Sequence, residues 1–219
     1  MRTLRRPTSR RAGFTMVELA VSGVILSMMM GFLLLVQTTG QSAADWASLE
    51  DEADARLTRA LERVGNELRG VIDATIWEDL PGAPAGSETI TFQAIASLEG
   101  GVATPGPVLR IEVAAEAGEV DDGVDNDGDG LVDEQALYLT QDLGGAGEKQ
   151  VLLCRGVLET FTGEVQNLAD DNGNGLVDES GFHVARDGDR LTARLAVRVT
   201  RSDGSSVDRD GEVSVRIRN

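Results

Sequence analysis

Two similar acidic segments carry the side chains best suited to chemistry in this chain. Residues 125–134 read DNDGDGLVDE and residues 170–179 read DDNGNGLVDE, 45 positions further along. Each offers oxygen atoms from side chains at positions 1, 3, 5 and 9, a glycine at position 6 and a main-chain carbonyl at position 7, which is the ligand order of a calcium loop. The sequence therefore predicts structural Ca²⁺ ions, with candidate ligands Asp125, Asp127, Asp129, Leu131, Asp133 and Glu134 in the first segment and Asp170, Asn172, Asn174, Leu176, Asp178 and Glu179 in the second.

Both segments depart from the helix–loop–helix type of calcium site. Position 12, which carries a bidentate glutamate in that type, is Ala136 in the first segment and Gly181 in the second. Glu134 and Glu179 are the candidates to replace it, and the strand-like flanks indicate short aspartate-rich loops. The alternative interpretation is a solvated Asp-Gly turn without a metal, as is common in hairpins.

The pattern of apolar residues predicts the scaffold that must hold these loops. Apolar residues recur at three- and four-residue steps from Trp46 to Ile72, which predicts an amphipathic helix over 41–72 within one helix running from Phe14 to about Val71, with Gly40 as a weak point. The region 87–219 alternates apolar and polar residues and predicts half-buried antiparallel strands. The expected fold class is α+β, a long N-terminal helix packed on an antiparallel sheet. The predicted strands are Thr89–Ala94, Val108–Val113, Ala136–Thr140, Gln150–Cys154, Val157–Thr162, Leu191–Val199 and Val213–Ile217, with a turn at 202–205.

The segment from Phe14 to Val36 is apolar enough to cross a membrane. Its 23 residues make a helix of roughly 35 Å, against a hydrocarbon core of about 30 Å. Five arginines precede it, which predicts a cytoplasmic N-terminus and a C-terminal domain outside the inner membrane. An ordinary secretory signal is the alternative, but the small-residue cleavage site expected after it is poor at residues 37–42. The carboxylate of Glu18 is costly within an apolar span and marks a function or a partner.

The run Gly13-Phe14-Thr15-Met16-Val17-Glu18, behind its basic leader, resembles the type IV pilin signal. The resemblance implies that a prepilin peptidase removes residues 1–13 and N-methylates the new terminus at Phe14. It further implies a transmembrane and filament-core helix at 14–39, an extracytoplasmic domain with a pilin-like roll at 40–219, and pairing of Glu18 with the Phe14 amine of a neighbouring subunit. From the residues alone, Glu18 could instead lie at the membrane interface, solvated by headgroups.

The order of the later segments is similar to that of J-type minor pseudopilins of type II secretion. Residues 152–161, an acidic insert and then residues 191–199 carry this similarity. It implies a structural subunit at the tip of a pseudopilus in the bacterial inner membrane, with other pilin or pseudopilin subunits and secreted cargo as partners. The alternatives are a minor pilin that primes type IV pilus assembly and a calcium-dependent adhesion module displayed on a pilin anchor.

Composition and charge limit the other functions. The net charge is −17, and loss of the five leader arginines leaves 15 bases against 37 acids, so the chain should repel nucleic acid. No phosphate loop, zinc spacing or nucleophile motif is found, and an enzyme is not expected. The single histidine, His183, is expected to be a surface or packing residue, and the single cysteine, Cys154, a buried strand thiol.

Overall fold

The computed structural model describes residues 15–72, 76, 87–100, 102–120, 122–126, 132–173, 177–201 and 203–217. Within these residues the chain forms one helix followed by seven strands. The elements are α1 (Met16–Leu68), β1 (Thr89–Glu99), β2 (Val102–Ala115), β3 (Gln135–Gln141), β4 (Lys149–Val157), β5 (Phe182–Asp187), β6 (Arg190–Thr200) and β7 (Ser206–Arg216).

The long helix predicted from the apolar pattern is confirmed, and it passes through Gly40 without a break. The chain divides into two compact units between Ala47 and Ser48, so α1 contributes to both. In the second unit α1 buries one face, as an amphipathic helix should. Trp46, expected on that face, is 49% exposed. It lies three residues before Leu49, the first buried residue of the helix. The buried residues are Leu49, Ala53, Leu57, Ala60, Val64, Gly65 and Leu68.

The seven strands form one antiparallel sheet. Its order is β1-β2-β3-β4-β6-β5, and β7 pairs with β6. One edge of β6 is shared: Arg190 to Leu195 pair with β5, whereas Val197 pairs with Val157 of β4. Ser87, just before β1, exchanges two main-chain hydrogen bonds with Val184 of β5, at 2.9 and 2.8 Å. The sheet therefore curls until its first strand comes back beside β5.

The core lies between the second half of α1 and the sheet. Fully buried side chains from the helix, such as Val64 and Leu68, meet Phe92 of β1 and Phe182 of β5 in one apolar cluster. The contact is close at Gly65, where an added Cβ would lie 2.8 Å from Cγ2 of Val213. A larger residue there would force helix and sheet apart. Burial of this cluster is the main driving force for folding of the unit.

The predicted sheet is confirmed as a class, but one predicted strand is wrong, one strand was not predicted, and β1, β2 and β7 are longer than predicted. The strand expected over Val157–Thr162 is wrong beyond Val157, because Gly156 has a φ of 67° and Leu158 leaves the strand to donate to the carbonyl of Ala196. β5 was not predicted, since its six residues include three polar ones and its alternation is short. The turn over 202–205 is confirmed in the residues described there, with Arg201 N donating to Ser205 O at 2.9 Å.

Candidate functional site: the anchor helix and the acidic loops

The first half of α1 is apolar on all sides and exposed. Met16–Leu68 contains an 18-residue window with a mean hydropathy of 2.4, and none of that window is buried within the chain. The large apolar side chains from Met16 to Val36 are each exposed by half or more, including Phe32 at 66%. A helix that is hydrophobic all round is normally covered by lipid or by other helices. This is one helix long and apolar enough to cross a membrane, near the N-terminus.

Glu18 caps the start of this helix. Its Oε2 accepts hydrogen bonds from the N and Oγ1 of Thr15, at 2.8 and 3.0 Å, and its own N donates to Thr15 Oγ1 at 3.3 Å. Such a reciprocal pair is a capping box, which satisfies amide groups that the first turn leaves unpaired. The Thr15-x-x-Glu18 spacing could have indicated it from the sequence. Gly13 and Phe14, the predicted processing residues, lie outside the described residues, so the predicted pairing of Glu18 with a neighbouring Phe14 stays a prediction.

The two acidic segments lie in loops with the same closing bonds. In the first acidic loop (residues 116–134), Glu116 N donates to Glu134 O and Glu119 N donates to Glu116 O, at 2.8 and 2.9 Å. In the second acidic loop (residues 161–179), the matching bonds join Phe161 N to Glu179 O and Glu164 N to Phe161 O, at 2.8 and 3.0 Å. The repeat is therefore longer than the ten-residue calcium-like pattern.

A buried glutamate organises each loop from within. Glu119 is 6% exposed and accepts from the N of Asn126 and of Asp133, at 3.0 and 3.3 Å. Glu164 is 5% exposed and accepts from the N of Asn172 and of Asp178, at the same two distances. A carboxylate is retained at such depth only where it is well hydrogen-bonded.

These two glutamates were missed because they precede the calcium-like pattern. A signal for them exists, since Gly-Glu-Val occurs at 118–120 and again at 163–165, with the same offset of 45.

The aspartate at position 9 of each pattern also binds main-chain amides. Oδ1 of Asp133 accepts a hydrogen bond from Asp122 N, and Oδ2 accepts one from Gly123 N, at 2.9 Å each. Asp178 accepts from the N of Asn167 and of Leu168, at 2.8 Å each. Both aspartates have a positive φ, 55° and 51°, which confirms that the two loops follow the same path here.

The structure describes seven of the twelve predicted metal ligands. No group of three or more His, Cys, Asp or Glu side chains suited to a metal is found among the residues it describes. Asp170 Oδ1 accepts from Gly173 N at 2.6 Å, and Asn172 Nδ2 lies 3.5 Å from Glu179 Oε2. Ca²⁺ binding by either loop therefore stays a prediction. Asp127, Asp129, Leu131, Asn174 and Leu176 lie outside the described residues, and Asp125, Asp133, Glu134, Asp170, Asn172, Asp178 and Glu179 lie within them.

The second acidic loop is attached to the sheet through a partly buried cluster of charged residues that the sequence did not indicate. Glu179, whose side chain is 3% exposed, lies 3.3 Å from Nη1 of Arg194, and Nε of Arg194 lies 3.0 Å from Glu212. His183 Nε2 lies 3.7 Å from Glu179 Oε1, and its ring meets that of Phe161 edge-on, 5.8 Å between centroids.

Burial also decides the charge of His183. Because the imidazole is only 2% exposed, desolvation lowers its pKa from 6.5 to about 4. His183 is thus neutral at pH 7 and packs in the interior, so its expected role as a packing residue is confirmed and a surface location is wrong. Cys154 is 3% exposed, and desolvation raises its pKa to about 11, which confirms the buried, unreactive thiol.

The two loops lie at the same end of the sheet. A cavity of about 300 Å³ is lined by Asp133 of the first acidic loop and Gln166 of the second, together with Glu88 and Glu159. The end of the domain is therefore strongly acidic.

Comparison of the chain with family models, with curated proteins and with solved structures finds no match.

Proposed function

We propose that the chain is a minor pseudopilin, a structural subunit near the tip of a type II secretion pseudopilus. The observation that carries this proposal is the exposed apolar half of α1, followed without a break by a half that packs on an antiparallel sheet. A subunit that is stored in a membrane and then built into a filament needs such a helix, because lipid covers it first and neighbouring helices cover it afterwards. Single-pass anchoring in the bacterial inner membrane follows from the basic leader.

Small residues along the apolar half support helix–helix packing in the assembled state. An added Cβ at Gly23 or at Gly31 would meet no atom within 4 Å, so both faces are free to receive another helix. Ser27 donates its hydroxyl to Gly23 O at 2.7 Å and so presents little polarity to a neighbour. Surfaces of this kind let helices approach closely where a membrane or a fibre excludes water.

In the proposed filament, Glu18 sets the register between subunits. Prepilin peptidase would cut after Gly13, and the N-methylated amine of Phe14 in one subunit would pair with Glu18 of the next. The present partner of Glu18 is Thr15, through a capping box that is exposed. Exchange of a hydroxyl partner for an ammonium group would be favourable in an apolar fibre, where an unpaired carboxylate is costly.

Calcium is proposed as a structural ligand of the acidic loops. Both loops carry the ligand order of a calcium loop, and the many carboxylates at one end of the domain repel one another unless a cation neutralises them. Bound Ca²⁺ would add to the stability of the folded state. Asp125, Asp127 and Asp129 of the first loop carry more charge than their counterparts in the second, so the first loop should bind more tightly.

Copurification tests the function directly. The full chain is solubilised from membranes of its own cells with mild detergent, and the proteins that travel with it are identified by mass spectrometry. Other pseudopilins and components of the secretion platform are the expected partners. Pilus components in their place would favour the minor pilin that primes a type IV pilus. If the parent chain and the Glu18→Ala variant were both recovered without any partner, a filament role would be contradicted.

A further inference from the structure

A groove with arginines on its rim runs between α1 and β4 in the second unit. It encloses about 430 Å³, and Arg59 and Arg63 of the helix face Leu152 and Arg155 of the strand across it. β4 pairs with β3 along its whole length, but on its other side it meets β6 only at Val157. Within the described strands, the edge of β4 from Lys149 to Arg155 is therefore open towards the groove.

The groove exposes main-chain groups that could pair with a further strand. Nη1 of Arg63 donates to the carbonyl oxygen of Leu152 at 3.3 Å, so this carbonyl is within reach of groups that lie in the groove. A carbonyl oxygen has two lone pairs, so it can accept a second hydrogen bond from an incoming main-chain amide. An open edge of this kind is a template for strand addition.

Two of the arginines on the rim differ from most other arginines of the domain. Arg198 and Arg216 lie 2.7 Å from Asp208 and Asp189, respectively. In contrast, Nε of Arg59 donates to Ala55 O at 2.9 Å and Arg63 donates to Leu152 O. In the described part of the chain, neither Arg59 nor Arg63 has a carboxylate oxygen within 4.0 Å.

The other charges of the groove are partly compensated already. Arg56 pairs with Glu52 at 3.0 Å and Arg155 pairs with Glu116 at 2.7 Å, while Glu62 is the one acidic residue among those that line the groove. The floor is apolar, because Leu153 packs against the core and Cys154 is buried. An excess of positive charge above an apolar floor is notable in a chain with 37 acids and 20 bases.

We propose that this groove binds an extended acidic segment of another protein chain, added as a strand to the open edge of β4. Main-chain hydrogen bonds to β4 would give the segment its register, and its carboxylates would pair with Arg59 and Arg63. Charge complementarity favours this occupant, since the acidic remainder of the domain repels acidic partners, whereas in the described part of the chain Arg59 and Arg63 lie on one groove without a carboxylate within 4.0 Å. The site is independent of the filament role proposed above.

Peptide binding to the full chain in detergent micelles tests this site. The probe is a short fluorescein-labelled peptide of alternating Glu and Val, in which an extended backbone puts all carboxylates on one face. We expect binding that weakens as salt is raised. The same peptide with Gln in place of Glu, and a version N-methylated at every second amide, should each bind about tenfold more weakly, since one loses the charge and the other the strand hydrogen bonds.

A pair of charge variants assigns the binding to this groove. Arg59→Gln combined with Arg63→Gln should weaken binding about tenfold, whereas the matched control, Arg198→Gln combined with Arg216→Gln, removes equal charge elsewhere and should leave it within about twofold. Equal binding of the Glu and Gln peptides, or equal affinities of the two double variants, would overturn the proposal. The peptide series does not depend on the folding of any variant.

Two further outcomes would reassign the groove to another occupant. Inorganic polyphosphate that competes as well as the Glu peptide would identify a general anion site and overturn strand addition. Sedimentation of the full chain alone is the second measurement. Self-association that is lost in the Arg59→Gln, Arg63→Gln variant would show that a second copy, and not a different chain, fills the groove.

Discussion

The ion pair that attaches the first acidic loop to the sheet is more exposed than the one that attaches the second, since the arginine side chain is 61% exposed in the first pair and 23% in the second. Glu116 of the first loop pairs with Arg155, whose side chain is 61% exposed. Glu179 of the second loop pairs with Arg194 and lies against His183, and the side chains of Glu179 and His183 are each 3% exposed. In both loops the buried glutamate accepts from two main-chain amides and the position-9 aspartate accepts from two more, so the repeat specifies these shared turns and the flanking strands decide how firmly each loop is held.

The largest predicted difference between the loops concerns these two arginines. Arg194→Met removes an ion pair of the Glu179 carboxylate, whose side chain is 3% exposed, and loss of one partner of a buried carboxylate should cost about 3–5 kcal/mol of the free energy of unfolding. Arg155→Met, the matched change at the first loop, should cost less than about 1 kcal/mol because the pair is exposed and screened. Denaturant unfolding of the full chain in detergent measures both, and equal costs would show that the two attachments do not differ.

Acid should destabilise the domain through His183 of β5, which lies against Glu179 of the second loop. The pKa of His183 is about 4 in the folded state and 6.5 when unperturbed, so the unfolded state takes up the proton first as the pH falls. Stability should therefore decrease between pH 6.5 and pH 4, by roughly 3 kcal/mol in total, and this contribution should be constant above pH 6.5.

His183→Phe isolates this contribution from those of the carboxylates. Tyr138 is at the matching position after the first loop, 45 residues earlier, so an aromatic ring without a titrating nitrogen is already used there. Unfolding curves at pH 7 and pH 5 should differ less in the variant than in the parent. The same pH dependence in both proteins would mean that His183 is not the group responsible.

A smaller and equal effect is expected from the two internal glutamates. Glu119→Gln and Glu164→Gln each keep the shape of the side chain but weaken its bonds to two main-chain amides, and each should cost about 1–2 kcal/mol. Chemical denaturation of the two variants side by side measures these costs. A cost at only one position would break the equivalence of the two loop interiors.

An effect of similar size is expected from calcium. Calcium loops outside the cell commonly bind with millimolar affinity. A Ca²⁺ concentration tenfold above the dissociation constant stabilises the folded domain by about 1.4 kcal/mol. Addition of a chelator should lower the melting temperature of the full chain, and Asp125→Asn should reduce this shift more than Asp170→Asn does. A melting temperature that is the same with chelator and with Ca²⁺ would support the metal-free turn.

The sequence predicts the sheet where the alternation is long and one-sided. Leu191, Ala193, Leu195 and Val197 alternate with polar residues, and β6 is found over Arg190–Thr200. The charged first part of β7, from Ser206 to Glu212, is not predicted from the sequence. Its side chains pair with residues distant in sequence, such as Arg209 with Asp54 at 2.8 Å. Short-range patterns contain no information on such partners.

The acidic segments show the same limit at the level of a site. Their ligand order is local, so the sequence indicates it, and the shared bonds of Asp133 and Asp178 confirm that the segments adopt the same turn. The roles of Glu119 and Glu164 depend on hydrogen bonds to amides 7–14 residues further along the chain. The cluster of Glu179, His183 and Arg194 depends on the pairing of β5 with β6, which no periodicity in the sequence specifies.

The intact mass of the protein purified from native membranes tests the membrane-anchored filament role most directly. A pseudopilin processed by prepilin peptidase should have the mass of residues 14–219 plus one methyl group, with the amine of Phe14 available to pair with Glu18. A mass that still includes residues 1–13 would contradict the proposed processing and, with it, the proposed assembly of this subunit into a filament.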